Sequence, residues 1–149
     1  MAPLAQNKKI FFNFELLETL SAGIELFGHE VKAVRGGKMT LEGSHVTIRG
    51  NEAFLVNSSI MPYQPANTPK EYEPARNRKL LLTKKELQKL ASIEQQKGLT
   101  IVPISVYNKG KKVKVDIAVV RGKKKFDKRE TLKKREDKRH IERTLKNEY

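Results

Sequence analysis

Lys112-Val113-Lys114-Val115-Asp116-Ile117-Ala118-Val119-Val120 is the run whose reading decides the fold. Val113, Val115, Ile117 and Val119 alternate with Lys112, Lys114 and Asp116, the period-two pattern of a strand with one face in a core and the other in water. The lysine-bearing face reads either as an ordinary solvated surface or as a seat for a phosphate backbone. Just upstream, Thr100–Tyr107 reads as a second strand, turned into the first by Asn108-Lys109-Gly110-Lys111. Before that pair lies the clearest helix signal in the chain. Thr83 and Glu86 form a capping box, Leu87, Leu90 and Ala91 give an inward stripe, and Gly98 stops it.

Working toward the N-terminus, Met61–Lys79 holds Pro62, Pro65, Pro69 and Pro74 and little that is apolar. It is expected to be a long exposed excursion, mobile or ordered only on a partner, ending in the basic cluster Arg76-Asn77-Arg78-Lys79. Val46–Arg49 and Ala53–Asn57 flank Gly50-Asn51, a hairpin with a primed turn. His29–Arg35 reads as a short helix with Val31 and Val34 inward and Gly36-Gly37 as its end. Ile10–Leu20 reads as a strand with Phe12, Phe14 and Leu16 on one face, continuing through a bend at Gly23. Those Phe residues serve either as core or as a base-stacking platform. Met1–Gln6 is expected to be a loose end. Short strands separated by turn signals, with one good helix between them, predict a mainly β protein, a small antiparallel barrel with accessory helices.

The strand run also ends the region able to build a core. Residues 121–149 carry 13 Lys/Arg against 6 Asp/Glu, and only Phe126, Leu132, Ile141, Leu145 and Tyr149 are apolar. The chain therefore divides into a body, residues 1–120, and a basic C-terminal tail, residues 121–149. Asp127 and Glu130 supply a cap, and Glu130–Lys134 and Glu142–Lys146 are i,i+4 pairs. Without a continuous apolar stripe, such a tail is expected to be disordered when free and helical on a polyanion. A tail that serves only solubility needs no aromatic at Phe126, between a lysine run and a helix cap. A tail that meets RNA can stack a base there.

The chain has a net charge of +14 in 149 residues and no cysteine. Disulfides, thiolate metal sites and Cys nucleophiles are excluded, and nucleic acid is the partner class that such a charge favours. The start, MAPLAQNKK, lacks the apolar core of a signal peptide, and no run approaches membrane-spanning length, so a cytoplasmic protein with no membrane partner is expected. Gly36-Gly37-Lys38 lacks the spacing of a phosphate-binding loop. His29, His45 and His140 have no metal-ligand spacing, and the carboxylates are scattered among lysines. An enzyme, a cofactor and a bound metal are not expected.

Several segments together resemble one family: Asn7-Lys8-Lys9, Ala22-Gly23-Ile24, Gly28-His29-Glu30-Val31-Lys32, Arg35-Gly36-Gly37-Lys38, Arg78-Lys79-Leu80-Leu81-Leu82, Lys97-Gly98-Leu99-Thr100, and Gly122-Lys123-Lys124 through Asp127-Lys128-Arg129-Glu130. In order and spacing they resemble the SsrA-binding (SmpB) family, the partners of transfer-messenger RNA (tmRNA) in bacterial ribosome rescue, over about Asn7 to Arg143. The resemblance implies an oligonucleotide-binding (OB) type barrel that binds the tRNA-like domain of tmRNA. It also implies a tail that folds into a helix in the empty mRNA channel and meets small-subunit RNA at the decoding centre. Carried over by position, tmRNA contacts fall on Asn7, Lys8, Ala22, Gly23, Leu81 and Lys114. The ribosomal tail set is Gly122, Lys123, Lys124, Phe126, Asp127, Lys128 and Arg129. This chain has Ser21 where the family usually has Glu, and Phe12 and Phe14 where it often has His and Tyr. The expected protein is a monomeric adaptor for trans-translation. The alternatives are a general RNA chaperone or ribosomal structural protein, which would bind many RNAs alike, and a nuclease.

Overall fold

The computed structural model describes residues 3–122. In chain order its elements are β1 (Ala5–Gln6), α1 (Ile10–Asn13), β2 (Phe14–Ile24), α2 (Gly28–Arg35), β3 (Met39–Thr40), β4 (His45–Arg49), β5 (Glu52–Val56), β6 (Ser59–Ile60), β7 (Arg78–Leu81), α3 (Lys84–Glu94), β8 (Leu99–Lys109) and β9 (Lys112–Gly122). Seven strands form one antiparallel sheet in the order β1-β8-β9-β2-β7-β5-β4, and β3 pairs with β6 in a small ladder of its own. β4, at one end of that order, packs against β8 near the other. The sheet is thus curled around its core.

The alternation in β9 turns out as read: Val113, Val115, Ile117 and Val119 are all buried. They meet Ala22 and Ile24 of β2, Leu80 of β7, Ala53 and Leu55 of β5, Ala33 and Val34 of α2, and Leu90 of α3. The opposite face of β9 is divided. Lys114 and Asp116 are half-exposed, whereas Ala118 and Val120 are buried with Ile10 and Val102 in a second apolar cluster. That second cluster accounts for the first departure from the sequence reading. Ile10–Asn13 is a helical turn rather than the start of the strand, because the turn lays Ile10 over Ala118 and Val120. The strand begins at Phe14.

Local signals placed α3 and the hairpin well. Thr83 Oγ1 accepts from the Glu86 N–H at 3.2 Å while the Thr83 N–H donates to Glu86 Oε1 at 2.9 Å. At the far end of the helix, Glu94 accepts from the Ile48 N–H at 2.7 Å and from Thr47 Oγ1 at 3.1 Å, so a side chain covers the outer edge of β4. Gly50 and Asn51 both have positive φ, +55° and +63°, as a primed turn requires.

Three further expectations are corrected. Ala5–Gln6 is not a loose end but pairs with Val106 and Ser105 of β8. β9 runs through Gly122, so Arg121 and Gly122 finish the sheet rather than open the tail. The excursion 61–79 is a strap held down on α2, and the basic cluster at its end is partly interior: Arg78 is fully buried. The cause is Glu30, also fully buried. Its carboxylate accepts from the Phe27 N–H at 2.8 Å, Tyr72 Oη at 2.9 Å, Arg78 Nη2 at 2.7 Å and both Nε and Nη2 of Arg76. Arg78 also donates to the carbonyls of Ser58, Pro74 and Arg76. Two arginines satisfied in this way close the strap over the end of α2.

Candidate nucleic-acid interface

The face of the sheet opposite the core carries two adjoining cross-strand rows. β2 changes partner at Gly23, which is in register with Lys114 of β9 on one side and Leu81 of β7 on the other. Lys114 is in turn opposite Tyr107 of β8, so the first row reads Leu81, Gly23, Lys114, Tyr107. A Cβ on residue 23 would lie 3.1 Å from the Leu81 Cβ; only glycine lets Leu81 come this close, and Leu81 is itself half exposed at 50 %. The second row is Ser21, Asp116, Ser105 and Gln6.

Beside the first row is a cavity of about 490 Å³ lined by Gly23, Leu81, Val31, Lys111, Lys112 and Lys114, among others. Arg35 at the end of α2 steadies its rim, donating from Nη2 to the Lys111 carbonyl at 2.9 Å and from Nε to Asn108 Oδ1 at 3.3 Å. Three lysines around a hollow with an exposed leucine at its lip suit an anion with a flat apolar part, as a nucleotide has. Elsewhere, Phe27 is 52 % exposed with the Arg76 guanidinium 4.0 Å over its ring, beside a second hollow lined in part by Phe54 and Lys79.

Residues 4–147 match the family model described as SmpB protein. The chain belongs to the SmpB family. It is similar to the SsrA-binding protein of Trichodesmium erythraeum (strain IMS101), 48 % identical over 143 residues, covering 96 % of this chain and 92 % of that one. The SsrA-binding protein of Thermosynechococcus vestitus is 46 % identical, with 96 % and 94 % covered. A solved chain from "tmRNA-SmpB: a journey to the center of the bacterial ribosome" superposes with a TM-score of 0.68 at 42 % identity, covering 83 % of this chain and 87 % of that one.

Of the positions carried over from the SmpB family, Gly23, Leu81 and Lys114 stand side by side. Lys8 is exposed in the turn after β1. Ala22 and Asn7 point inward. Ala22 is fully buried under Gly23, so it supplies packing rather than a contact surface. Asn7 is 6 % exposed, and its side-chain amide donates to the Pro103 carbonyl at 3.3 Å, where proline and a bulge interrupt the ladder of β8. Gly122 pairs with Phe14 at the end of β9. Lys123, Lys124, Phe126, Asp127, Lys128 and Arg129, with the cap and ion pairs expected in the tail, lie outside the described residues.

Sequence reasoning missed the Glu30–Arg76–Arg78–Tyr72 cluster and the polar row through Asp116. One signal for each was present: a lone Glu at the start of a helix that carries core residues, and a lone Asp in the lysine-bearing face of β9.

Proposed function

We propose that this chain is an RNA-binding adaptor that holds the tRNA-like domain of tmRNA through the surface around Gly23, Leu81 and Lys114 and brings it to stalled ribosomes for trans-translation. The convergence of those three positions beside a lysine-lined hollow carries the reading, and membership in the SmpB family supports it. The curled antiparallel sheet is read as an OB-type barrel, and residues 1–122 as the RNA-binding body. The tail enters the mRNA channel, with Phe126 stacking in the decoding centre and Lys123, Lys124 and Lys128 on phosphates. Peptidyl transfer stays with the ribosome, so the chain is no enzyme, and it acts as a cytoplasmic monomer.

A gel-shift competition tests this. The full chain is titrated against labelled tRNA-like domain with excess bulk tRNA and duplex RNA, and selective retention is expected. Lys114→Ala is expected to weaken binding roughly three- to ten-fold and to lower the salt slope by about one. Indiscriminate binding would favour a general RNA chaperone. Removing the residues after Gly122 is expected to leave tmRNA affinity nearly intact while abolishing peptide tagging.

A further inference from the structure

Asp116 is the charged group on this surface that a phosphate-binding face does not explain. It lies two positions along β9 from Lys114, on the same side of the strand and about 7 Å away. Among the described residues no lysine or arginine pairs with it. Its Oδ1 instead accepts from Tyr107 Oη at 3.0 Å, and the Ser21 Oγ lies 2.9 Å from the same phenol oxygen. A tyrosine has one hydroxyl proton. With that proton on Asp116, the serine must donate to the tyrosine oxygen. Protons therefore run Ser21 to Tyr107 to Asp116, all along the sheet. Among the described residues, what remains for a ligand is acceptors alone: Asp116 Oδ2 and the lone pairs of Ser21, on a half-exposed and an exposed residue.

An acceptor-only site bearing a negative charge repels phosphate. It recognises the donors of a nucleic acid, which are the amino and imino groups of base edges and the ribose 2′-hydroxyl. With Lys111, Lys112 and Lys114 next to it, a strand laid across the face can give its backbone to the lysines and a donor to the carboxylate. We propose that the Ser21–Tyr107–Asp116 relay is a donor-reading site, in which Asp116 accepts a hydrogen bond from the bound RNA and contributes selectivity. This rests on the RNA-binding reading above. The phenol holds the carboxylate oriented before the RNA arrives, and Tyr107 and Ser21 are positioning residues.

The test uses the full chain with Asp116→Asn and Tyr107→Phe, against the tRNA-like domain and against bulk duplex RNA. Asp116→Asn is expected to lower affinity for the tRNA-like domain about ten-fold, the scale of one charge-assisted hydrogen bond. Duplex binding should stay level or tighten, because a negative charge leaves a basic surface. Tyr107→Phe should cost about two- to three-fold on the tRNA-like domain alone, through lost orientation. Two RNA series then locate the donor, one with single 2′-deoxy substitutions and one with single-base analogues that lack each amino or imino donor in turn. At the contacted nucleotide, wild type and Asp116→Asn should bind alike; the series in which this happens says whether ribose or base is read. Equal affinity of wild type and Asp116→Asn for the unsubstituted RNA overturns the proposal. So does an equal loss on both RNAs, or a difference that neither series removes. A wild-type chain with no preference for the tRNA-like domain overturns the functional reading itself, and this inference with it.

Discussion

Glu30 and Asp116 are two carboxylates in one strongly basic chain, each bonded to a tyrosine hydroxyl, and they have opposite surroundings. Glu30 is fully buried and takes donors from two arginines, Tyr72 and a backbone N–H. Asp116 is half-exposed and, among the described residues, takes one, from Tyr107. A carboxylate with every lone pair engaged has nothing left to offer a ligand, and it holds the fold. A carboxylate with a vacant oxygen on an exposed face does little for the fold and is available to a partner. The number of donors around each group, rather than its charge, separates scaffold from interface.

Breaking the scaffold side should have the largest effect. Arg78→Ala removes a buried partner of Glu30 and leaves its charge partly uncompensated, which is expected to destabilise the body by about 3–5 kcal/mol in chemical denaturation. Asp116→Asn should stay within about 0.5 kcal/mol of wild type, as exposed substitutions do. A cost for Asp116→Asn near that of Arg78→Ala would erase the contrast.

Acid sharpens it. Burial pushes the Glu30 carboxyl up, but hydrogen bonds from Arg76, the Phe27 N–H and Arg78 outweigh this and hold it at about 2, against an ordinary value of 4.5. A depressed folded-state pKa gives stability that is present above the unfolded value and lost as pH falls through the folded one. Stability should therefore decline between about pH 4.5 and 2, by on the order of 2–3 kcal/mol from this group. The decline should be shallower in Glu30→Gln, measured by denaturation at each pH.

A smaller loss of stability than at Arg78 is expected at the join between the two regions. In Gly23→Ala the new methyl meets the Leu81 Cβ at 3.1 Å, so Leu81 must shift by a few tenths of an ångström, at a cost of about 1 kcal/mol. Because Leu81 forms the lip of the lysine-lined hollow, RNA affinity should fall more than stability does. A variant with unchanged tmRNA binding in the gel-shift assay would remove Leu81 from the interface.

The features that could be read directly have short-range causes. The alternation in Lys112–Val120 names its own buried face, Thr83 and Glu86 cap a helix that begins at the next residue, and Gly50-Asn51 turns the chain between adjacent strands. Those signals, with the basic composition and the family segments, carried the mainly β fold, the RNA partner and three of the positions that stand together beside the lysine-lined hollow. Ala5–Gln6 is too short and too polar to announce a strand until β8 is there to pair with it. Ile10–Asn13 is helical because Ala118 and Val120 need cover, and that need arises more than a hundred residues later. Arg76 and Arg78 looked like surface charge because the carboxylate that draws them inward lies 46 and 48 residues away. Asp116 looked like one acid among lysines until register set it beside Tyr107 and opposite Ser21. Sequence alone determined periodicity, capping, turns and net charge, all governed by near neighbours. The tertiary structure decided which charges are buried and satisfied and which are left open, because desolvation and hydrogen bonding depend on groups that only folding brings together.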